Sequence, residues 1–549
     1  MRLFSMVLAL LVWDSSFHEA LGQRTGDRVV VIRDTKVKAG EAVVATMPAG
    51  QVLEVYEARK DLLFISDIAT GWIPRSDVTD ADQAIALFGE TLRQQPKNAD
   101  AFVARGNALA ANDQFDAAIA DYSAAIRLSP QNSFAYQRRG MIWSKKGNIE
   151  KAQADLGRAL EIDPHAARAY YYRGTAFEMS GDHKQSLADL SQALHLNPAY
   201  ALAWRNRAAT HLQLGDAESA LSDLNEALRL NPKDSLALAS RGAAWLLKGD
   251  RNKAIDDLDA AIRRNPQLVA ASATRGAAWL AMGKYERAIA DSTEAIRLDP
   301  KFDAAYANRG QAYLLAGNAE SALADFDTAA RLDPRNPDVL VHRGFTHARL
   351  GRTDQALRDY TGAIKLDPQN VRACLARGQL YEQLDQTREA LADYNRALEI
   401  TPKNGLALYR RSLLWSKTGK HDQSLADLDE ALQLNPEDSQ ALCRRAVILA
   451  ACPAVKFRNA KAALADARQA CQLTEWKQPD MLGALAAACA ESGDFERAVE
   501  WQTMAIGLLI NSKKTAEFES RLALFKAGKP WRDHLERPVI SNAERRERK

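Results

Sequence analysis

Two stretches of the chain, RGAAWLLKGD at residues 241–250 and RGAAWLAMGK at residues 275–284, are nearly identical and lie 34 residues apart. Each places an arginine and a glycine inside an apolar, alanine-rich stretch that otherwise favours a helix. Prolines repeat with the same 34-residue interval, at Pro96, Pro130, Pro164, Pro198, Pro232, Pro266, Pro300, Pro334, Pro368, Pro402 and Pro436. A fixed period of this length predicts a stack of helix-turn-helix units that bury their apolar faces against one another.

Other positions repeat together with the prolines. When proline is counted as residue 32 of a repeat, residues 8 and 15 are usually glycine and residue 11 is often aromatic, as in Gly242, Gly249 and Trp245. A glycine inside a helix costs about 1 kcal/mol relative to alanine. We expect residue 8 to be glycine because the second helix, with its small residues 20 and 27, approaches closely there.

This pattern resembles the tetratricopeptide repeat family. The resemblance implies a mainly α protein, a right-handed α-solenoid of about twelve repeats over residues 99–512. A lead-in helix is expected within residues 80–98, and a five-residue insertion lies around residues 451–460 of repeat 11. Residues 513–549 are expected to form a capping helix and a basic, partly disordered tail, since they hold eleven Lys/Arg and six Asp/Glu.

The first residues have the pattern of a secretory signal peptide over residues 1–22. Arg2 precedes an uncharged apolar run from Leu3 to Trp13, and small residues stand three and one positions before Gln23. The run is too short to span a bilayer comfortably. We therefore expect an exported protein, periplasmic or extracellular, with no transmembrane anchor after cleavage. The alternative is a buried or frayed helix at this end.

Residues 26–78 have a different pattern, with short β-branched stretches separated by glycine and proline. This pattern predicts a small antiparallel domain of about five strands. GDRVVVIRD at 26–34, MPAGQVLEV at 47–55 and GWIPRSDV at 71–78 resemble the bacterial SH3-like family. The resemblance implies a small β-barrel, and members of that family often bind peptides or cell-wall components.

Residue 7 is arginine in each of the first eleven repeats, and residue 23 is aspartate, as in the pairs Arg241 and Asp257, Arg275 and Asp291, and Arg309 and Asp325. Repeat 12 loses both charges together, with Leu485 and Trp501 at these positions. Only pairing within one repeat leaves no charge without a partner, so we predict a ladder of Arg–Asp bridges inside the repeats. The alternative is a row of arginines that binds anions.

The tetratricopeptide resemblance implies that the first helices line a groove for an extended peptide or a helix. Their residues 2, 5, 9, 12 and 13 contribute most of its surface, which in this chain predicts a basic and aromatic zone, an apolar centre and a second basic zone. The candidate residues are Arg138, Lys145, Arg168, Tyr171 and Arg205, then Leu246, Leu247, Leu280, Leu314 and Leu315, then Phe345, Arg349 and Arg372. A partner with an apolar centre and acidic ends would fit this order. The alternative for the leucines is packing against neighbouring helices.

The carboxylate clamp known in this family is matched only in part, at Asn107, Arg138 and Arg168.

No catalytic motif, metal-ligand spacing or cofactor fingerprint is present, so we expect no enzyme activity, metal or cofactor. The net charge of +3 is too small to argue for a nucleic-acid partner, and we expect none.

The leading hypothesis is a scaffold that binds protein or peptide partners. The alternative is a cell-envelope adaptor whose residues 26–78 contact peptidoglycan while the repeats recruit an enzyme.

Overall fold

The computed structural model describes residues 28–39, 42–59, 61–65, 71–509 and 514–533. These residues divide into two compact units with the boundary between Asn318 and Ala319. The signal peptide expected at residues 1–22 lies outside the described residues, as does the part of the basic tail that follows residue 533. The described chain is mainly helical, as the repeat pattern predicted.

Each repeat contributes two helices, here called helix A and helix B. A single helix, α1 (Ala81–Gln94), precedes the repeats, and α26 (Thr515–Lys526) follows them. The A and B helices of repeats 1 to 12 are, in order, α2 (Ala99–Ala111) and α3 (Phe115–Leu128), α4 (Ser133–Lys145) and α5 (Ile149–Ile162), α6 (Ala167–Met179) and α7 (His183–Leu196), α8 (Ala201–Gln213) and α9 (Ala217–Leu230), α10 (Ser235–Lys248) and α11 (Arg251–Arg264), α12 (Val269–Ala281) and α13 (Tyr285–Leu298), α14 (Asp303–Leu315) and α15 (Ala319–Leu332), α16 (Pro337–Arg349) and α17 (Thr353–Leu366), α18 (Val371–Gln383) and α19 (Thr387–Ile400), α20 (Gly405–Lys417) and α21 (His421–Leu434), α22 (Ser439–Ala451) and α23 (Ala460–Leu473), and α24 (Pro479–Glu491) and α25 (Phe495–Gly507). Short 3₁₀ helices cover Arg75–Asp77 and, within the insertion of repeat 11, Val455–Phe457.

Repeat 5 shows why the helices begin and end where they do. The Asp234 carboxylate accepts a hydrogen bond from the backbone N–H of Ala237 at 3.0 Å and so caps helix A. Helix A ends at Lys248, and the next residue, Gly249, has a φ of +92°, in the left-handed region that glycine adopts without strain. Helix B ends at Arg264, two residues before Pro266, which has no N–H with which to continue it.

The glycine at residue 8 lies where the two helices of a repeat meet. A Cβ built on Gly242 would lie 2.7 Å from Leu258 Cγ and 3.2 Å from the backbone oxygen of Ala254. The expected neighbours were the small residues 20 and 27. In repeat 5 the structure instead places the large Leu258, residue 24, over the glycine, together with the backbone of residue 20. A bulky side chain fits there because the glycine leaves space for it.

Seven short strands of the described chain precede the helices. They are β1 (Arg28–Val31), β2 (Thr35–Ala39), β3 (Ala42–Met47), β4 (Val52–Arg59), β5 (Leu62–Ile65), β6 (Gly71–Pro74) and β7 (Val78–Thr79). Neighbours pair in the order β3-β2-β6-β5-β4-β1-β7, and every pair is antiparallel. The register aligns Val29 with Leu53 and Leu63 with Ile73.

The sequence predicted about five strands closed into a barrel, and the described strands do not close. β3 pairs only with β2, and the two-residue β7 pairs only with β1, so among the described residues these strands are the two edges. A closed barrel requires a ladder between the two edge strands, and β3 and β7 do not pair among the described residues. The edge strand β3 leaves Val43 and Val44 about half exposed, at 50% and 49%.

The sheet shares a buried cluster with the first helices. Val30 of the sheet, Phe88 of α1 and both Ala104 and Ala108 of α2 are buried together, and Val52 packs against them. At the other end of the repeats, Phe518 of α26 is buried and covers Gly483 of repeat 12. The last repeat therefore has its apolar face covered by a helix, as the solenoid requires.

Candidate partner-binding surface

Arginine and aspartate side chains join the two helices of a repeat. The Nε and Nη2 atoms of Arg241 each donate to a carboxylate oxygen of Asp257 at 2.8 Å. Arg275 donates to Asp291 in the same way at 2.8 and 2.7 Å. Two parallel hydrogen bonds of this kind also occur in repeats 1 to 4 and 8 to 11. Arg309 and Asp325 belong to different units, and their pairing stays a prediction.

Most of these arginines also make a third contact, which the Arg–Asp spacing does not predict. Arg241 Nη1 donates to Asn225 Oδ1 at 2.9 Å, and Asn225 lies on helix B of the preceding repeat. Arg275 reaches Asp259 at 2.6 Å in the same way. The acceptor is residue 25 of the preceding repeat, two positions after its aspartate. The arginine therefore ties three helices together and fixes one repeat against the next.

The same contacts argue against a row of arginines that binds anions. Three of the five N–H groups of the Arg241 guanidinium face Asp257 and Asn225. The Asp257 carboxylate raises the pKa of Arg241 above its usual range, so the pair stays ionised. Asp257 neutralises the charge of Arg241 inside the protein, so little of that charge remains to attract an anionic ligand.

For two of the arginines, the residue that corresponds to Asn225 on the preceding helix is a glycine. Arg173 Nη1 would lie 3.9 Å from a Cβ built on Gly157, and Arg105 Nη1 would lie 3.9 Å from one built on Gly89. Neither glycine offers a side-chain acceptor. These two arginines therefore lack the third hydrogen bond that Arg241 makes.

Replacing Gly157 with serine is expected to raise the free energy of unfolding by about 1–2 kcal/mol. Removing a glycine from a helix interior contributes about half a kcal/mol, and a new hydrogen bond to Arg173 contributes about 1 kcal/mol. Urea unfolding of the full chain measures the change. In an Arg173→Met background the same substitution should keep only the helix-propensity part, and an equal gain in both backgrounds would contradict the third contact.

The helix-A surface is defined here as residues 2, 5, 6, 9, 12 and 13 of the A helices. In repeats 2 and 3 it carries three cations of the first basic zone. The Arg138 guanidinium stacks 4.6 Å from the Phe134 ring, and the Lys145 ammonium lies 4.9 Å from the Phe115 ring. Arg168 is half-buried and forms no hydrogen bond or ion pair with the part of the chain that the structure describes.

Two other predicted residues of this zone lie below the surface. Tyr171 is 2% exposed, and its hydroxyl accepts a hydrogen bond from Asn206 Nδ2 at 3.1 Å. Arg205 is 6% exposed and donates to Asp234 at 3.0 Å. These side chains join repeat 3 to repeat 4 and repeat 4 to the capping residue of repeat 5, so they support the surface rather than face a ligand.

The floor of the same zone contains buried polar atoms without a protein partner. Gln137 and Ser144 are both buried. Gln137 Nε2 and Ser144 Oγ form no hydrogen bond with the described residues. An unpaired buried donor costs about 1–3 kcal/mol, so a hydrogen bond between a bound ligand and either atom would recover part of that cost.

The leucines of the expected apolar centre fall into three groups. Leu246 and Leu314 are buried, and Leu247 and Leu280 are half-buried. Leu315 is 50% exposed. Packing against neighbouring helices accounts for Leu246, which belongs to the main apolar cluster of repeats 4 to 6.

In the second unit the helix-A surface is more open. Phe345 is 41% exposed and packs edge to face with Tyr360, and Arg349 and Arg372 are exposed. Arg372 Nη2 lies 3.4 Å from the Nε2 of the buried His342. Burial, and then the charge of Arg372, lower the pKa of His342 to about 4, so this ring is neutral near pH 7.

A turn of the sheet covers the helix-A surface of repeat 1. Asn107 Nδ2 donates to the Gly50 carbonyl at 3.0 Å, and Tyr122 donates to Asn107 Oδ1 at 2.8 Å. Arg138 Nη2 lies 3.4 Å from Gln51 Oε1. Two residues of the partial carboxylate clamp, Asn107 and Arg138, thus bind the chain itself. No local pattern signals this contact, because it joins residues 57 and 87 positions apart.

Neither a metal site nor a membrane span is found in the described part of the chain. No group of three or more His, Cys, Asp or Glu residues there is placed to hold a metal ion. None of the described helices is long and apolar enough to cross a bilayer. Cys374, Cys471 and Cys489 are buried among the helices, and burial raises the pKa of the Cys489 thiol to about 11.

Comparison with known families decides what the repeats are. Models described as tetratricopeptide repeats match residues 276–317, 303–336 and 344–405. The repeats within these three ranges are tetratricopeptide repeats. A model described as the ETO1 C-terminal domain matches residues 70–245. No curated protein matches the sequence.

Several solved structures are similar to this chain at low sequence identity. The Cut9–Hcn1 hetero-tetramer of the APC/C has 14% identity and a TM-score of 0.46, over 80% of this chain and 93% of that chain. Yeast Tom70 has 18% identity and a TM-score of 0.36, over 83% and 100%. A tetratricopeptide repeat protein from Parabacteroides merdae has 21% identity and a TM-score of 0.40, over 46% and 99%. These similarities are too weak to bear on function.

Proposed function

We propose that this tetratricopeptide protein is a non-enzymatic scaffold whose helix-A surface binds a peptide or helix of a partner protein. The observation that carries the proposal is the surface of repeats 2 and 3. Arg138, Lys145 and Arg168 lie there beside Gln137 Nε2 and Ser144 Oγ, two buried polar atoms without a partner among the described residues. Cations attract acidic side chains, and the unpaired atoms suit the main chain of a bound peptide.

The experiment is capture of partners by the full chain, with Arg168→Glu as the test variant. Arg168 makes no ion pair with the described residues, so reversing its charge should leave the fold intact and reduce capture of the partner by about fivefold or more. Arg127→Glu is the matched control, since Arg127 is exposed on helix B. Equal capture by both variants would contradict a binding site on repeats 2 and 3.

Leu246→Asp is not a suitable test of the apolar centre. Leu246 is buried, so a charge at this position would destabilise repeats 4 to 6 whether or not they bind a partner. Leu315→Asp tests the apolar centre more fairly, because half of the Leu315 side chain is exposed.

The alternative function is that of a cell-envelope adaptor. We propose that the protein is exported, that its sheet is of the SH3-like type, and that the sheet makes a second contact, with peptidoglycan as the ligand. The half-exposed Val43 and Val44 on the edge strand β3 support such a contact. Exported protein should begin at Gln23 when its N terminus is sequenced.

Sedimentation with isolated cell wall tests the adaptor function. Deleting the sheet would uncover Phe88 and Ala104, which share its buried cluster, so point substitutions are preferable. Wall binding that is lost in Val43→Glu and kept in the surface control Arg127→Glu would support the adaptor. Absence of wall binding by the unaltered chain would rule it out.

A further inference from the structure

The chain that follows α26 lies on the helix-A surface of repeats 11 and 12. It leaves the helix at Gly528, whose φ of +65° is in the left-handed region. Residues 528–533, here called the strap, form neither helix nor strand. The strap contacts residues 6, 12 and 13 of repeat 11 and residue 13 of repeat 12, so the chain itself already occupies this surface.

Two side chains of the strap are held by groups of different chemistry. The Trp531 ring lies 3.6 Å from the Arg521 guanidinium and packs against the apolar cluster of the last repeats. Arg532 Nη1 donates to the Glu491 carboxylate at 2.7 Å and to the backbone oxygen of Ala450 at 3.3 Å. The surface therefore offers an aromatic site beside an anionic one.

The next residue of the strap meets a cation. The Asp533 carboxylate lies 3.5 Å from Arg444 Nη1, and the Asp533 backbone N–H donates to the backbone oxygen of Ala451 at 2.8 Å. Three consecutive residues, an aromatic, a base and an acid, thus meet a stacking cation, a carboxylate and a guanidinium in that order. A surface whose complementary groups have a fixed order can select a peptide by its sequence.

The apolar end of the repeats does not depend on the strap for its cover. Phe518 and Phe525 of α26 are each 1% exposed and belong to the apolar cluster. Residues 531–533 are only half-buried. Within residues 530–533, the Asp533 N–H makes the only backbone–backbone hydrogen bond found in the described chain. The strap can therefore leave while α26 stays in place.

The groups that hold the strap also have partners of their own. Glu491 Oε1 accepts a hydrogen bond from Arg458 Nη1 at 3.3 Å, and Arg444 Nη2 donates to Ser416. These contacts keep the carboxylate and the guanidinium in position when the strap is absent. Arg444 Nε is buried and forms no hydrogen bond with the described residues, and Asp533, at 3.5 Å, is too distant for a strong one. A better placed carboxylate would bind Arg444 more tightly than Asp533 does.

We propose that the helix-A surface of repeats 11 and 12 is a peptide-binding site for a partner segment with an aromatic, a basic and an acidic residue in succession. The strap is its built-in competitor, and it keeps the site closed until such a segment replaces it. The acidic residue of the partner pairs with Arg444, and the basic residue pairs with Glu491. The inference does not rest on the site proposed for repeats 2 and 3, which lies in the other compact unit.

Binding of a synthetic peptide to the full chain tests the proposal. The probe is a fluorescein-labelled copy of residues 528–533, and its fluorescence anisotropy reports binding. The tethered strap has an effective concentration of about 1 mM, so the unaltered chain should bind the probe weakly. The full chain with Trp531→Ala and Asp533→Ala should bind the probe about tenfold more tightly, because its own strap no longer competes.

Charge reversal identifies the groups that bind the acid and the base. Adding Arg444→Glu to the Trp531→Ala, Asp533→Ala variant should weaken binding about tenfold, and a probe with arginine in place of its aspartate should restore it. Glu491→Arg with a probe that carries glutamate in place of its arginine is a second, independent exchange. Arg468→Glu is the matched control, since Arg468 is exposed on helix B of repeat 11. A probe with its last three residues in reverse order should bind more weakly than the probe itself.

Any of four results would overturn the proposal. The first is equal affinity of the probe for the unaltered chain and for the Trp531→Ala, Asp533→Ala variant. The second is no measurable binding by that variant. The third is equal affinity for the probe and its reversed form, and the fourth is that neither charge exchange restores binding.

Discussion

Replacing Arg241 with methionine is expected to lower the free energy of unfolding more than replacing its partner, Asp257, with asparagine. The Asp257 side chain is 12% exposed, whereas that of Arg241 is 25% exposed. Without Arg241 the carboxylate stays buried with no cation beside it, a situation that costs about 3 kcal/mol. Without the carboxylate, the guanidinium still reaches water and Asn225, so we expect a loss of about 1–2 kcal/mol.

The double variant Arg241→Met with Asp257→Asn should lose less unfolding free energy than the sum of the two single losses, because it leaves no unpaired charge. A repeat array need not unfold in one step, so hydrogen exchange of the repeat 5 amides is a better measure than a global melting curve. Additive losses would contradict the pairing. Equal losses for the two single variants would contradict the asymmetry in burial.

Replacing Gly50 with alanine is expected to detach the sheet from repeat 1, at a cost of about 3 kcal/mol. Gly50 has a φ of +82°, and its added Cβ would lie 2.4 Å from Ala104 Cβ and 2.5 Å from Ala104 Cα. The left-handed backbone costs an alanine about 1 kcal/mol. The clash with a helix that cannot move aside adds about 2 kcal/mol.

Gly147→Ala is the matched control for this change. Gly147 has a similar φ of +74°, but nothing lies within 4 Å of its added Cβ. The Gly147→Ala variant should therefore lose only about 1 kcal/mol of unfolding free energy, which is the cost of a left-handed backbone for alanine. Hydrogen exchange of residues 28–54 and 99–111 reports the contact directly, and equal exchange in the two variants would show that the sheet does not depend on it.

The repeat pattern could be predicted because it depends on contacts within one helix pair. Pro266 ends a helix, Gly249 turns the chain, and Arg241 and Asp257 lie 16 residues apart in the same repeat. Such contacts follow from helical periodicity alone. The loss of both charges in repeat 12 even indicated which arginine meets which aspartate.

The exposure of the candidate surface could not be predicted in the same way. Leu246 and Leu247 are adjacent in the sequence and both apolar, yet one is buried and the other is half-buried. The difference depends on how the next repeat packs, which a single repeat does not encode. Tyr171 and Arg205 were expected to face a ligand for the same reason, and they are buried between repeats.

By itself, the sequence determined the helical repeats, their turns and the charge pairs inside them, because these depend on spacings that recur every 34 residues. Only the tertiary structure decided what lies on the helix-A surface at each end. The Gly50 turn on Asn107 and the Asp533 backbone on Ala451 join residues 57 and 82 positions apart. Contacts at such separations depend on how whole elements pack against one another, and no local pattern records them.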